Sequence, residues 1–491
     1  MINYVIKLKN SQNYNLIVKI LLILFILSLF FPIRHVFLTK EAYLTGNYSD
    51  FTSFSLYLSD ILLFLLALIT FLPRGIKIWL KIKEFSFLSS SPYALAPIFW
   101  LIIGLILVFL VHFGLNIRLN AYLLIKWLEL LVSYGTFKVL FEQNWLKNLF
   151  LKLFVWLCGL QSIIALAQFA KQSSLGLYKL GESHLAPNIQ GVAKIVSGGT
   201  TFIRGYGTFS HPNPFSAFLV AGTLITTYLL IHSANKKLIT LYSILLFLNI
   251  LGLTVTFSRG AYLALAAGLI LFFGLHLLWR HPERVQPSEG SHIKDSSASD
   301  VPQSGIPLCG TFGLRMRPVI VLLISIVVSF FLFKPFLLTR ATFADQSTMD
   351  RKFYDITGVK MAAQNPFFGL GLGESLLHME QYSGKSLAPW DKQPPHNYFI
   401  LAAAELGIPA MLILIWIFFS HLWGLIKKIR HNKQSTNYYL LTTILCSFLL
   451  LMLFDHYFYD LNQTQLLLWV FLALMAAIAS KNTNENNTQQ I

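Results

Sequence analysis

Apolar runs close to the length needed to cross a bilayer recur along the whole chain, and a soluble fold could not bury so many of them. A helix needs about 20 mostly apolar residues to span the hydrocarbon core. Runs of that kind fall near 16–33, 54–72, 94–114, 120–140, 150–169, 214–232, 238–257, 260–278, 318–337, 397–419, 437–454 and 464–480. This spacing predicts an all-α, polytopic integral membrane protein of about twelve transmembrane helices. Charge agrees with it. Only 12% of the 491 residues are Asp, Glu, Lys or Arg, about half the ~25% of soluble domains. Phe257, Ser258 and Arg259 alone separate the seventh and eighth runs, so a helical hairpin is expected there.

The formal charge of +17 reads as topology. With the N-terminus inside, the cytoplasmic turns hold Arg74, Lys77, Lys81 and Lys83, then Lys236 and Lys237, then Arg280, Arg284, Lys294, Arg315 and Arg317, then Lys427, Lys428, Arg430 and Lys433. Short outer turns are sparse in Lys and Arg, which is the positive-inside bias. The chain then divides into helices 1–5 over 1–169, an outer loop over 170–213, helices 6–8 over 214–278, a cytoplasmic disordered linker over 279–317, a ninth helix over 318–337, a large outer loop over 338–396, helices 10–12 over 397–480 and a disordered tail over 481–491. Both termini are expected inside. Lys7 and Lys9 precede the first run and Lys19 lies near its start, with no small-residue cleavage site after it, so a retained helix is expected. No basic, aromatic-interleaved stripe outside the spans suits nucleic acid. Cys158, Cys309 and Cys446 have no metal-ligand or disulfide spacing.

The polar residues that are costly near a membrane gather in the outer segments. Arg204-Gly205-Tyr206-Gly207 leads through Ser210 to His211-Pro212-Asn213-Pro214. Asn213 as N-cap and Pro214 at the first helical position fit a helix-opening turn; Arg204, a fixed fork of donors suited to phosphate, is left unexplained by it. His211 and Asn213 are candidates for orienting a sugar or phosphate oxygen. Arg259 sits in the short turn between two apolar helices, where a lone arginine would simply snorkel. The large loop carries Arg340, Asp350-Arg351 and a glycine-rich run, Asn365-Pro366-Phe367-Phe368-Gly369-Leu370-Gly371-Leu372-Gly373-Glu374, which lacks the strand of a dinucleotide site and reads as a turn ending a surface helix near 351–363. Pro394-Pro395-His396-Asn397 closes that loop. His396 is the natural proton acceptor, Asn397 an N-cap candidate, and Glu405 an ionisable group expected two turns into the tenth span. Asp455 and Asp460 flank the last outer turn, where they either hold an arginine or cap a helix.

Arg204, Arg259, Arg340 and Arg351 on one side, with His396 among them and few acids, suit a multiply charged anion. A diphosphate at the membrane surface fits best. The outer loops hold no DxD pair, so neither a metal-chelated nucleotide sugar nor any metal or cofactor is expected. Arginine charge would stabilise a leaving diphosphate.

The segments GYGTFSHPNPFSAFL, TFSRGAYLAL, NPFFGLGLGE and PPHNYFILAAAELG, in that order, resemble the O-antigen ligase and polymerase family of bacterial membrane proteins, over roughly 150–480. The resemblance implies a fold similar to the C-type membrane glycosyltransferases, with a large periplasmic loop between spans 9 and 10, in the bacterial cytoplasmic membrane. It implies transfer of a glycan from an undecaprenyl-diphosphate carrier to an acceptor hydroxyl on a glycan, lipid core or protein, without metal. His396 carries over as candidate base, and Arg259 with an arginine of the late loop as diphosphate contacts; Arg204 matches the motif next to His-Pro-Asn. From the residues themselves, Arg204, Arg340 and Arg351 are further diphosphate candidates and His211, Asn213, Asn397, Glu405 and Asp455 supporting ones. A polymerase joining lipid-linked repeat units is the alternative within the family. A flippase or transporter is the alternative outside it, favoured only by Lys126, Glu129 and Lys138 in the fourth span.

Cysteine-accessibility labelling is expected to place positions 204, 340 and 396 outside and 236 and 428 inside. Labelling of 396 and 236 from the same side would contradict the topology.

Overall fold

The structure, a computed structural model, describes residues 12–44, 46–80, 92–278, 308–341, 346–431 and 436–480. Residues 279–307 of the expected linker, the tail 481–491, and Lys7, Lys9, Lys81, Lys83, Arg280, Arg284, Lys294 and Lys433 lie outside the described residues.

The helices are α1 Gln12–Phe30, α2 Leu58–Leu80, α3 Pro92–Val111, α4 Ile117–Leu140, α5 Asn144–Lys171, α6 Pro212–His232, α7 Lys236–Thr256, α8 Arg259–Leu278, α9 Leu308–Ala341, α10 Gln346–Gln364, α11 Met379–Ser383, α12 Tyr398–Leu406, α13 Ile408–His431, α14 Thr436–Met452, α15 Tyr457–Asp460 and α16 Asn462–Ser480. Among the described residues eight helices are long and apolar enough to cross a membrane: α1, α5, α6, α7, α8, α9, α13 and α16. Apolar stretches of α2, α3 and α14 are shorter, and α4 carries Arg118, Lys126, Glu129 and Lys138. Each expected run overlaps helical structure, but eight spans are what length and apolarity support among the described residues.

Three expectations change. The fold is mostly helical but not all-α: β1 Arg34–Phe37 pairs β4 Phe54–Tyr57, β2 Tyr43–Leu44 pairs β3 Asn47–Tyr48, and β5 Lys194–Ser197 pairs β6 Thr200–Ile203, all antiparallel. Five of the six strands sit in the expected outer segments, where the backbone has no helix to satisfy it; β4 takes the first four residues of the expected second span, whose helix begins only at Leu58. Helix α9 begins at Leu308, inside the expected linker. The expected tenth span over 397–419 is two helices, α12 and α13, parted at Gly407.

Packing puts α6 and α16 at the centre. The apolar window of α6 is 94% buried and that of α16 83%, against 17% for α9. Accordingly α6 is apolar on every side, and its Thr226 and Thr227 return their hydroxyls to the carbonyls four residues back. Helix α7 packs on α5, α6 and α9, α4 on α16, and α8 on α14. Helix α9 presents Leu323, Phe331 and Leu332 outward, a face that suits lipid. Polar side chains lock one end of the bundle. Gln161 of α5 donates to Phe30 O (3.0 Å) and to Thr208 (2.9 Å), Gln463 of α16 donates to Leu29 O (2.9 Å), and Asn462 donates to Ser59 (3.1 Å).

The break at Gly407 shapes the same end. Asn397 caps α12 by accepting from the N–H groups of Phe399 (2.9 Å) and Ile400 (3.2 Å), and its amide donates to Leu453 O (3.1 Å). The glycine-rich run lies backbone-on-backbone along the end of α12. Leu370 N–H reaches Ala404 O (2.8 Å), Gly371 N–H reaches Glu405 O (3.0 Å) and Ile408 N–H reaches Pro366 O (2.7 Å). A Cβ on Gly407 would stand 2.3 Å from Phe367 O, and its φ is +86°, so only glycine fits. Glu405 is therefore not inside a span. It is buried at the end of α12, accepting from Gly373 N–H (3.0 Å), Ser375 (2.7 Å) and Tyr459 (3.0 Å), and so it ties the large loop to α15.

Gly407→Ala is expected to cost more than the ~1–2 kcal/mol of a left-handed residue, read as a lower melting temperature; an unchanged melt would deny the close backbone contact. Burial raises the Glu405 carboxyl to about 7 against the pull of its donors. The folded state thus holds this proton more tightly than the unfolded chain. Its stabilising effect is complete below pH 4.5 and is lost as pH rises to 7. The melting temperature is expected to fall across that window, and to fall less in Glu405→Gln, whose carbonyl can still accept from Gly373 N–H and Tyr459. Identical pH profiles would contradict this account.

Candidate functional site

The site begins at the hairpin between α7 and α8. Phe257 closes α7 in a left-handed conformation (φ 46°), a strained choice for a non-glycine residue. Its ring is wholly buried against Phe169, Phe333 and Phe336, which offsets the strain. The turn leaves the last carbonyls of α7 without helical donors, and arginines supply them. Arg204 Nε donates to Thr256 O (2.5 Å), and Arg340 Nη2 lies 3.5 Å from Phe257 O. A cation at a helix C-terminus is also favoured by the helix dipole.

Arg259, the first residue of α8, then faces Arg340 of α9 and Arg351 of α10 across a small cavity of about 20 Å³, completed by Asn213, Ser258, Asp455 and Tyr457. Arg259 Nη2 donates to Thr348 (3.2 Å), and Arg351 Nη1 to Phe454 O (3.0 Å). Space of this size holds about one water, so a diphosphate needs this pocket to open. Arg204 stands behind the cavity, 5% exposed, its guanidinium engaged by Thr256 O and by Asn213 Oδ1 (2.8 Å). Burial and the charge of Arg340 lower its pKa to about 9: the arginines crowd one another, and an anion among them would relieve the repulsion.

Asp455 joins this cavity to His396. The carboxylate accepts from Asn213 Nδ2 (2.7 Å) and from His456 N–H (3.0 Å), lies 3.7 Å from Arg351 Nη2, and meets His396 Nδ1 at 3.4 Å. Burial would raise its pKa, but the His396 hydrogen bond and the charges of His396, Arg351 and His456 outweigh burial and hold it well below the usual carboxylate range. Asp455 takes the arginine-holding role of its two sequence options. Asp460 takes neither, since it accepts from His456 Nδ1 at 2.7 Å.

Asn213 is not the N-cap. His211 caps α6, accepting from Asn213 N–H at 3.2 Å, and Pro212 opens the helix. This frees the Asn213 side chain to bridge Arg204 and Asp455. His211, driven to about 3 by burial and by Arg204, is neutral and spent as the cap. The structure thus brings together Arg259, Arg340, Arg351, Asn213, Asp455 and His396, puts Arg204 one layer behind, and leaves Glu405 and Asn397 as supports of the loop.

Two residues escaped the sequence reading. His456 lay in view in Asp455-His456-Tyr457, with no spacing to single it out; its ring is 5.1 Å from that of His396. Asp355 lies inside α10 among ordinary polar residues, and only the fold brings it to His396, whose backbone N–H it accepts; burial raises its pKa. His396, Asp455 and His456 offer ligand atoms within 4.8 Å of one another, a donor set able to hold a metal ion. Here Asn213, Arg351 and Asp460 already occupy the Asp455 carboxylate and His456 Nδ1.

Residues 244–415 match the family model described as O-antigen ligase. The stretch runs from α7 into α13 and contains Arg259, Arg340, Arg351 and His396. No curated protein matches the chain. Over that stretch the chain is similar to an O-antigen ligase-like family, whose description points to glycan transfer.

Proposed function

We propose that this protein transfers an oligo- or polysaccharide from a lipid-linked diphosphate, of the undecaprenyl type, to an acceptor hydroxyl at the outer face of the bacterial cytoplasmic membrane. The observation that carries the reading is the adjacency of a three-arginine cavity and a histidine held by a buried aspartate, both reached from the stretch that matches the family.

Chemistry follows from the placement. With Nδ1–H donated to Asp455, Nε2 of His396 is the free acceptor. It takes the proton of the acceptor hydroxyl as that oxygen attacks the anomeric carbon of the donor sugar. The new bond is acceptor oxygen to anomeric carbon; the bond that breaks joins that carbon to the diphosphate. The electron pair leaves with the diphosphate, whose extra negative charge falls to Arg259, Arg340 and Arg351. Asp455 stabilises the imidazolium, as an orienting carboxylate does in a hydrolase triad. Attack opposite the leaving group inverts the anomeric centre. Asn213 couples the two halves through Arg204 and Asp455.

Ligation of finished glycan is preferred, with polymerisation of lipid-linked repeats the second use of the same chemistry. The transporter reading is less favoured, because Lys126 and Glu129 are paired with each other and with Asp60.

His396→Ala and Arg259→Ala are each expected to lower glycan transfer in vitro by at least ~100-fold, with unchanged membrane insertion, and chelator is expected to leave the wild-type rate unchanged. Full activity of His396→Ala would remove it as base. Loss of activity to chelator would make the His396–Asp455–His456 cluster a metal site.

A further inference from the structure

A second and larger cavity, of about 490 Å³, opens on the far side of the histidine pair, and its chemistry is the opposite of the arginine cavity's. The β1–β4 ribbon, the start of α4, the glycine-rich run and the turn from α15 to α16 wall it. Phe51, Tyr57, Tyr122 and Trp127 give it aromatic surface. Its cations are already neutralised. Arg34 is held by Asp50 (2.8 Å) and Tyr57 (3.1 Å), and Lys126 by Asp60 and Glu129 (3.0 Å). The remaining cation of the lining, Lys179, is solvent-exposed.

One carboxylate in the lining has an unused acceptor. Asp460 Oδ2 is bound to His456 Nδ1, whereas Oδ1 is buried and has no hydrogen-bond partner among the described residues. Such an oxygen carries its full desolvation penalty until a donor meets it. Glu405 in the same lining differs, since Ser375, Gly373 and Tyr459 engage both its oxygens. Aromatic faces with an unpartnered carboxylate oxygen just beneath the wall, and cations paired off, suit a molecule with apolar C–H faces and hydroxyl donors but no charge.

We propose that this cavity is a binding subsite for a neutral glycan, with Asp460 Oδ1 accepting from a sugar hydroxyl. The inference rests on the transfer reading and adds the class of acceptor. Asp460 reaches His456 at 2.7 Å, His456 N–H reaches Asp455 at 3.0 Å, and Asp455 meets His396. Phe51, edge-on to His456 at 5.7 Å, continues the aromatic wall to the same place. A sugar anchored on Asp460 is thereby registered against the base. Acidic sugars are disfavoured, because the lining offers a carboxylate oxygen and no desolvated free cation to pair with theirs.

The test uses the full-length protein in detergent. Saturation-transfer NMR follows a neutral glucose trisaccharide and a trisaccharide of the same length carrying glucuronate, while phosphorus NMR follows inorganic pyrophosphate. The neutral sugar is expected to be saturated and the glucuronate sugar not. Asp460→Asn and Phe51→Ala should each weaken sugar binding by about tenfold or more while pyrophosphate binding persists. Absence of neutral-sugar binding, equal saturation of the glucuronate sugar, or indifference to both substitutions would overturn the subsite. Pyrophosphate binding that is absent, or insensitive to Arg259→Ala, would count instead against the transfer reading, so the two failures are distinct.

Discussion

Asp455 is a buried carboxylate at the end of the bundle, and the candidate site is organised around keeping it charged. A lone carboxylate there would take a proton rather than pay the cost of desolvation. It stays ionised because Asn213, Arg351, His396 and the His456 backbone each contribute a donor or a positive charge. Those partners come from α6, α10, the segment before α12 and the turn after α14. One ionised group therefore sets the mutual position of four separate parts of the chain. Its energetic value is lost if any of them moves away, which makes the arrangement stiff as well as polar.

The same economy appears at the end of α7. A left-handed phenylalanine ends the helix, a buried aromatic cluster holds that residue, and the exposed carbonyls recruit Arg204 and Arg340. These arginines have structural work that a lone snorkelling residue would not have. That work also concentrates positive charge where an anion can use it. Arg259 and Arg351 complete the ring, and Asp455 is the only carboxylate lining that cavity among the described residues. Beyond the histidines the lining changes to aromatic rings and paired charges, so an anion and a neutral polyol would meet separate surfaces on either side of one base.

Much of this was legible in the sequence, and what was not has physical causes. Hydrophobic run length located each of the eight helices long and apolar enough to span, because backbone hydrogen bonds inside a bilayer must be satisfied within the segment. The arginines and His396 stood out because charge near a membrane is costly. Asn213 was misread because Asn before Pro fits an N-cap on local grounds; its capping oxygen is instead taken by Arg204 and its amide NH2 by Asp455, far away in sequence, which leaves the cap to His211. The break at Gly407 looked like one continuous span, since only the approach of Phe367 requires a glycine there. Asp355 and His456 had no local signature at all. The β-ribbons were hidden in segments with little period, where pairing is fixed by the helices that flank them.

The most direct test of the account is a structure of the protein with a lipid-linked diphosphate bound. The account predicts an opened cavity with the diphosphate between Arg259, Arg340 and Arg351, Arg204 behind it still holding Asn213, and the anomeric carbon on the His396 side. A diphosphate bound at the other end of the bundle, or one that contacts none of these three arginines, would contradict it.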